Sequence, residues 1–169
     1  NYDETLSDVF FKDLAIRKPD FHLGVESTDF DEQVPRILRM VADVLRREKP
    51  DRVLILGDTN SGLAAIVAAR MGIPVYHIEG GNRCYDDRVP EEVNRRVIDA
   101  CSTVLMTYTQ RSKDNLLEEG VERERIFVIG NPIYEVLATY SDSIERSDVL
   151  SRFGLRKGEY FAVTLHGTE

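Results

Sequence analysis

The apolar positions of this chain change period repeatedly, and each change marks an element. Between Asp3 and Leu14 they fall at Leu6, Val9, Phe10 and Leu14, a helical spacing. Lys18-Pro19-Asp20 interrupts it, and Phe21–Val25 reads as a short strand or a loop. Ser27–Asp31 carries helix-start chemistry. Val34, Ile37, Leu38, Val41, Val44 and Leu45 then line one face of a helix over Val34–Arg47, stopped near Pro50. The pattern next becomes a continuous apolar run, Val53-Leu54-Ile55-Leu56, which predicts a strand buried on both faces. Ala-rich Thr59–Met71 predicts a helix with Gly72 as its C-cap. Further strands are expected at Ile73–Ile78, Thr103–Thr107, Arg125–Ile129 and Tyr160–Leu165. Helices are expected over Pro90–Ala100, Gln110–Glu119 and Pro132–Tyr140, and a last short one runs to Phe153 behind the polar segment Ser141–Ser147.

Strand and helix alternate along most of the chain, which predicts an α/β fold: a parallel sheet with helices on both faces. At 169 residues one domain is the default. Pro132–Gly158 lengthens the rhythm and reads as a linker toward a second domain. The first residue is Asn1 rather than Met, and Glu169 closes the chain just behind an apolar strand, so both ends read as cut.

Composition narrows the function classes. A net charge of -8 argues against a general nucleic-acid or anionic-membrane partner. An anionic small ligand stays open, because local Arg residues and helix N-termini bind phosphate even inside acidic proteins. Arg36, Arg39, Arg46 and Arg47 share a helix and read as a solvated face. Cys84 and Cys101 match no zinc spacing, and two free thiols fit a reducing cytoplasm. No apolar run approaches the ~20 residues that span a bilayer.

Three carboxylates stand at strand ends or a helix start. Asp58 follows the strand ending at Leu56, Glu79 ends the strand ending at Ile78, and Glu91 lies in the first turn of the helix beginning at Pro90. In an open α/β sheet ligands bind at that edge, and paired acids there suggest proton transfer. Each has a plainer reading. Asp58 or Thr59 fits an N-cap, Glu79 a salt bridge to Arg83, and Glu91 with Glu92 a complement to the helix dipole. Asn94 and Arg95 share the helix face of Glu91. His77 fits a buried structural role as well as a catalytic one, and His166 ends the last expected strand. The Gly57–Gly62 region is not a Walker loop, since no Lys follows.

Taken together, Gly57-Asp58-Thr59, His77-Ile78-Glu79-Gly80-Gly81-Asn82-Arg83, Pro90-Glu91-Glu92-Val93-Asn94-Arg95, Gly130-Asn131-Pro132 and the opening Asn1-Tyr2-Asp3 resemble the non-hydrolysing UDP-N-acetylglucosamine 2-epimerase family. The resemblance runs along nearly the whole chain in order. It implies one half of a two-domain, glycosyltransferase-B-like architecture. Residues 1–140 would form a Rossmann-like N-terminal domain without its first strand–helix unit, and residues 141–169 a linker and the entry to a UDP-binding domain. It implies inversion at C2 of a UDP-2-acetamido sugar, in surface-polysaccharide precursor synthesis, by anti elimination of UDP and re-addition. Asp58, Glu79, Glu91 and His166 match the family's catalytic residues, and Arg83, Asn94, Arg95 and Asn131 its substrate-binding ones. No metal and no cofactor are implied, the expected assembly is a cytoplasmic homodimer, and a polypeptide ending at Glu169 would lack most of the UDP-binding half. Two departures stand out. Gly167 follows His166 where the family commonly has Arg, and Gly81-Asn82-Arg83 replaces the commoner Gly-Leu-Arg, as in a subgroup that includes enzymes acting on UDP-6-deoxy amino sugars of the fucosamine series. The alternatives are a nucleotide-sugar glycosyltransferase of the same fold, or a non-catalytic fragment.

Overall fold

The structure, a computed structural model, describes residues 8–27 and 29–164. These fall into two compact units, one up to Ile129 and one from Gly130 onward.

In the first unit, helix α1 (Asp8–Asp13) is short. Helix α2 (Phe30–Glu48) buries Val34, Ile37 and Leu45. It starts four residues before the apolar stripe does. The Gln33 amide already donates to the Asp29 carbonyl at 2.9 Å, so Pro35 lies inside the helix, in its second turn, where it offers no N–H to the Asp31 carbonyl. Residues 21–25 form no strand.

The sheet is parallel, with order β1 (Val53–Leu56), β2 (Val75–Ile78), β3 (Val104–Thr107), β4 (Ile126–Val128). Between the strands run α3 (Ala64–Arg70), α4 (Pro90–Cys101) and α5 (Gln110–Glu118). The first turn before α3 is a 3₁₀ turn, Asn60–Leu63, rather than α-helix. Helix α5 is capped by the Thr109 hydroxyl, which accepts from the Ser112 amide at 3.1 Å.

Because the strand order follows the chain and parallel crossovers are right-handed, α3, α4 and α5 lie on one face. That face is the core. Ile55 and Val75 pack with Val34, Leu45, Leu63, Ala65, Ala68 and Ile98. Leu105 and Ile126 pack with Leu116. The other face carries a row Leu54, Tyr76, Val104 and a row Leu56, Ile78, Met106, Phe127, each in register across the strands. Leu54 and Leu56 are 64% and 66% exposed, so β1 is buried on one face where its apolar run predicts two.

The loop after β2 is held tightly. Gly81 has φ +77°, and a Cβ there would lie 2.2 Å from the Ser112 carbonyl oxygen and 2.9 Å from a Leu116 side-chain carbon. A backbone oxygen in a helix cannot swing aside. Gly81→Ala is therefore expected to cost on the order of 2–3 kcal/mol from the left-handed backbone and the clash together. Urea unfolding measures it, and a loss under about 0.5 kcal/mol, the scale of an ordinary surface change, would contradict the packing described.

The second unit holds α6 (Ile133–Thr139), α7 (Ser141–Glu145) and α8 (Val149–Arg152), with no buried residue in any of them. Helix α7 forms where the sequence reads as a polar connection. Residues 160–164 form no strand, and Phe161 is exposed. Leu165 and residues 3–7 of the expected N-terminal helix lie outside the described residues.

Candidate active site

Asp58, Glu79 and Tyr108 all follow the carboxyl ends of adjacent strands: Asp58 comes after β1, Glu79 after β2 and Tyr108 after β3. This is the sheet edge at which the topology places ligands. Glu79 has φ +80°, a left-handed backbone that costs a non-glycine residue about 1–3 kcal/mol and clusters at functional sites. One Glu79 carboxylate oxygen, Oε2, lies 3.6 Å from where a Gly57 Cβ would stand, so the carboxylate packs beside the turn that carries Asp58. The other oxygen accepts from Asn82 Nδ2 at 3.0 Å.

The two acids sit in unlike settings. Burial, and then the negative charge of Asp58, raise the Glu79 carboxyl above the ordinary range, against the opposing pull of His77, Arg95 and the Asn82 hydrogen bond. Asp58 instead accepts a forked pair of bonds on Oδ2, from Arg95 Nε at 3.1 Å and Nη2 at 2.7 Å. Tyr108 was not among the residues singled out from sequence. Its phenol is raised by burial and by the charge of Glu79. Its place one residue past a strand end was the available signal.

Arg95 reaches Asp58 because Glu92 holds its other end at 2.7 Å. Glu92 is fully buried. It accepts from the Cys84 amide at 3.0 Å, the Tyr85 amide at 3.3 Å and Arg96 at 3.0 Å as well. Burial alone would raise this carboxyl, but the Cys84 amide and thiol, Arg96 and Arg95 outweigh it and hold it at about 2. Glu92 thus acts as a clamp between α4 and the loop after Arg83, not only as a complement to the helix dipole.

Asn94 Nδ2 donates to the Asp58 carbonyl and to Asn60 Oδ1, both at 3.0 Å, fixing the backbone under Asp58. Asn60 in turn donates to Gln33 Oε1 at 2.6 Å. Glu91 stands apart from the acid pair. Its side chain makes no hydrogen bond or ion pair among the described residues, and with Asn94 it lines a cavity of about 620 Å³ bounded also by residues 21–25 and 59–61. Asp58, Glu79 and Arg95 do not line that cavity.

The Arg83 side chain is buried and committed inward. Nη2 meets Asp99 at 2.8 Å and Glu119 at 2.6 Å, while Nη1 donates to the Asn82 carbonyl at 2.7 Å. Asn131, in the second unit, is exposed and accepts from the Ile133 amide at 3.0 Å. His166 lies outside the described residues. Among the described residues no group of three or more His, Cys, Asp or Glu could hold a metal ion, Cys84 and Cys101 are free thiols, and no helix is long and apolar enough to cross a membrane.

A parallel α/β sheet whose successive strand ends present acids of unlike environment defines a Rossmann-like domain of the kind that binds nucleotide ligands at that edge. The chain belongs to the family described as UDP-N-acetylglucosamine 2-epimerase, whose sequence model matches residues 1–169. It is 38% identical over 173 aligned residues to the UDP-N-acetylglucosamine 2-epimerase of Methanococcus maripaludis, covering 100% of this chain and 47% of that protein. It is 40% identical over 130 residues to the UDP-2,3-diacetamido-2,3-dideoxy-D-glucuronate 2-epimerase of Pseudomonas aeruginosa, covering 76% of this chain and 37% of that one. Among solved structures, the Methanocaldococcus jannaschii UDP-GlcNAc 2-epimerase in complex with UDP-GlcNAc and UDP superposes with a TM-score of 0.85 at 38% identity, over 90% of this chain and 42% of that one. The chain thus spans about half the length, or less, of the relatives it matches.

Proposed function

We propose that the full-length protein inverts C2 of a UDP-2-acetamido sugar, UDP-GlcNAc or a 6-deoxy analogue, for surface-polysaccharide precursors. The base removes the C2 proton while the C1–O bond to UDP breaks with its electron pair leaving on the phosphate. The 2-acetamidoglucal then takes a proton on the opposite face of C2, and UDP re-adds at C1. The observation that carries this reading is the Asp58–Glu79 pair. Glu79, raised toward neutrality by burial and by a neighbouring carboxylate, is suited to exchange a proton with carbon near neutral pH. Asp58, oriented by Arg95, is suited to the complementary step on the other side of the ring.

Glu91 and Asn94 border the cavity and supply polar contacts to the sugar, Asn131 contributes from the end of the N-terminal domain, and His166 from the second domain, which residues 141–169 enter. The inward pairing of Arg83 supports a role in holding the loop behind Glu79. A homodimer is part of this proposal.

The test incubates the full-length protein with UDP-GlcNAc in deuterium oxide and follows C2 by proton NMR. The expected result is solvent deuterium at C2 in a gluco/manno mixture. Absence of exchange with UDP-GlcNAc and with its 6-deoxy analogues would favour a transferase of the same fold.

A further inference from the structure

The two acids are carried by separate segments, and one buried carboxylate touches the supports of both. Asp99, on α4, is 3% exposed. Its Oδ1 lies 2.7 Å from His77 Nδ1. On the far side of the ring, His77 Nε2 lies 3.0 Å from the Gly57 carbonyl, in the residue before Asp58. A carbonyl only accepts, so Nε2 carries a hydrogen, and the short Nδ1···Oδ1 contact holds a second one between ring and carboxylate. The other oxygen, Oδ2, accepts from the Gly81 amide at 3.1 Å and from Arg83 Nη2 at 2.8 Å, in the loop directly after Glu79. That loop has no slack, since a Cβ on Gly80 would lie 3.0 Å from Leu105 and 3.1 Å from Asp99 Oδ1.

We infer that Asp99, acting through His77 on one side and through Gly81 and Arg83 on the other, is the positioning residue that fixes the separation of Asp58 and Glu79. The inference rests on the epimerase reading for its kinetic consequence but not for its geometry. Asp99 touches no reacting atom in this scheme. His77 sits under both acids, where its nearness is felt by Glu79 as an opposing influence. The groups that act on Glu79 are Asp58, His77, Arg95 and Asn82, with Tyr108 raised in turn by Glu79.

The test is Asp99→Asn in the full-length protein. The amide keeps the shape of the carboxylate but lacks the charge that holds the second hydrogen between ring and carboxylate and that Arg83 faces. Displacing an acid by about 1 Å costs on the order of 100-fold in rate, so kcat is expected to fall about 10- to 100-fold with KM within about threefold. In the same variant the Glu79 carboxyl, followed by carbon-13 NMR, titrates at a pH different from that of the unsubstituted protein, falling as Asp58 moves away and rising as His77 loses the hydrogen that Asp99 held. If Asp99→Asn does not fold, His77→Gln takes its place and the kcat-against-KM split is read there. Unchanged kcat with unchanged Glu79 titration overturns the inference. So does failure of both variants to fold, which would make the pair a plain core element. A full-length protein that shows no turnover while Asp99→Asn still moves the Glu79 titration would remove the epimerase reading and leave the positioning intact.

Discussion

In the full-length protein, Glu79→Gln is expected to lower kcat by about 10²- to 10⁴-fold, the scale on which a positioned acid/base group contributes. Gln keeps the shape, the φ and a carbonyl oxygen able to accept from Asn82, so binding should change little and the loss should fall on kcat. The stability effect should go the other way. A carboxyl whose folded pKa is raised favours folding below its unfolded pKa, and that contribution is lost as pH rises through the folded value. Above its folded value, ionised Glu79 sits beside Asp58 in a place that disfavours the charge. Glu79→Gln removes that penalty, so urea unfolding at pH 7 should show a variant at least as stable as the parent. Turnover within tenfold of wild type would remove Glu79 from the chemistry. Lost turnover together with lost stability would mean that the side chain holds the loop rather than moves a proton.

Glu92→Gln is expected to show the opposite pH behaviour. Here the folded pKa is depressed, from 4.5 to about 2. The stability this contributes is fully present above the unfolded value and disappears as pH falls from about 4.5 through about 2. A shift of this size corresponds to roughly 3 kcal/mol at neutral pH. The Gln variant keeps the volume but loses the charge that satisfies Arg95, Arg96 and two loop amides, so most of that amount should be missing at pH 7. Urea unfolding across pH 2–7 gives the check: the two stability curves should converge at the acid end and separate above pH 5. Parallel curves would show that the clamp does not stabilise the fold through its charge. Because Arg95 loses one of its two anchors, kcat should fall too, by less than in Glu79→Gln.

Much of this was legible in the chain. The four strand positions follow from apolar runs; β1 begins with its run, and β2, β3 and β4 begin one or two residues later than theirs because pairing, not hydrophobicity, sets the ends. Asp58 and Glu79 were legible because a residue just past a parallel strand has only one edge to occupy. Glu92 was harder, since a carboxylate in a first helical turn reads as solvent-facing until a loop folds over it. Asp99 was missed although Glu92, Arg95, Arg96 and Asp99 share the i, i+3, i+4, i+7 spacing of one helix face, two acids flanking two arginines that could have been read as one charged face. The both-faces reading of Val53–Leu56 went astray because an apolar run states what a strand tolerates, and only the strand order tells which face this stretch of chain covers.

The uncovered sheet face changes how a polypeptide of these 169 residues behaves as a material. Two parallel apolar ribs, from Leu54 to Val104 and from Leu56 to Phe127, begin on β1, a strand that among the described residues pairs with β2 alone and whose four residues include neither Lys nor Pro to discourage a newcomer. Such a surface recruits other chains by stacking and by edge pairing at once. Made alone, the polypeptide is therefore a colloid with a sticky side. Its yield, shelf life and apparent size will follow concentration and salt more closely than they follow the stability of its core.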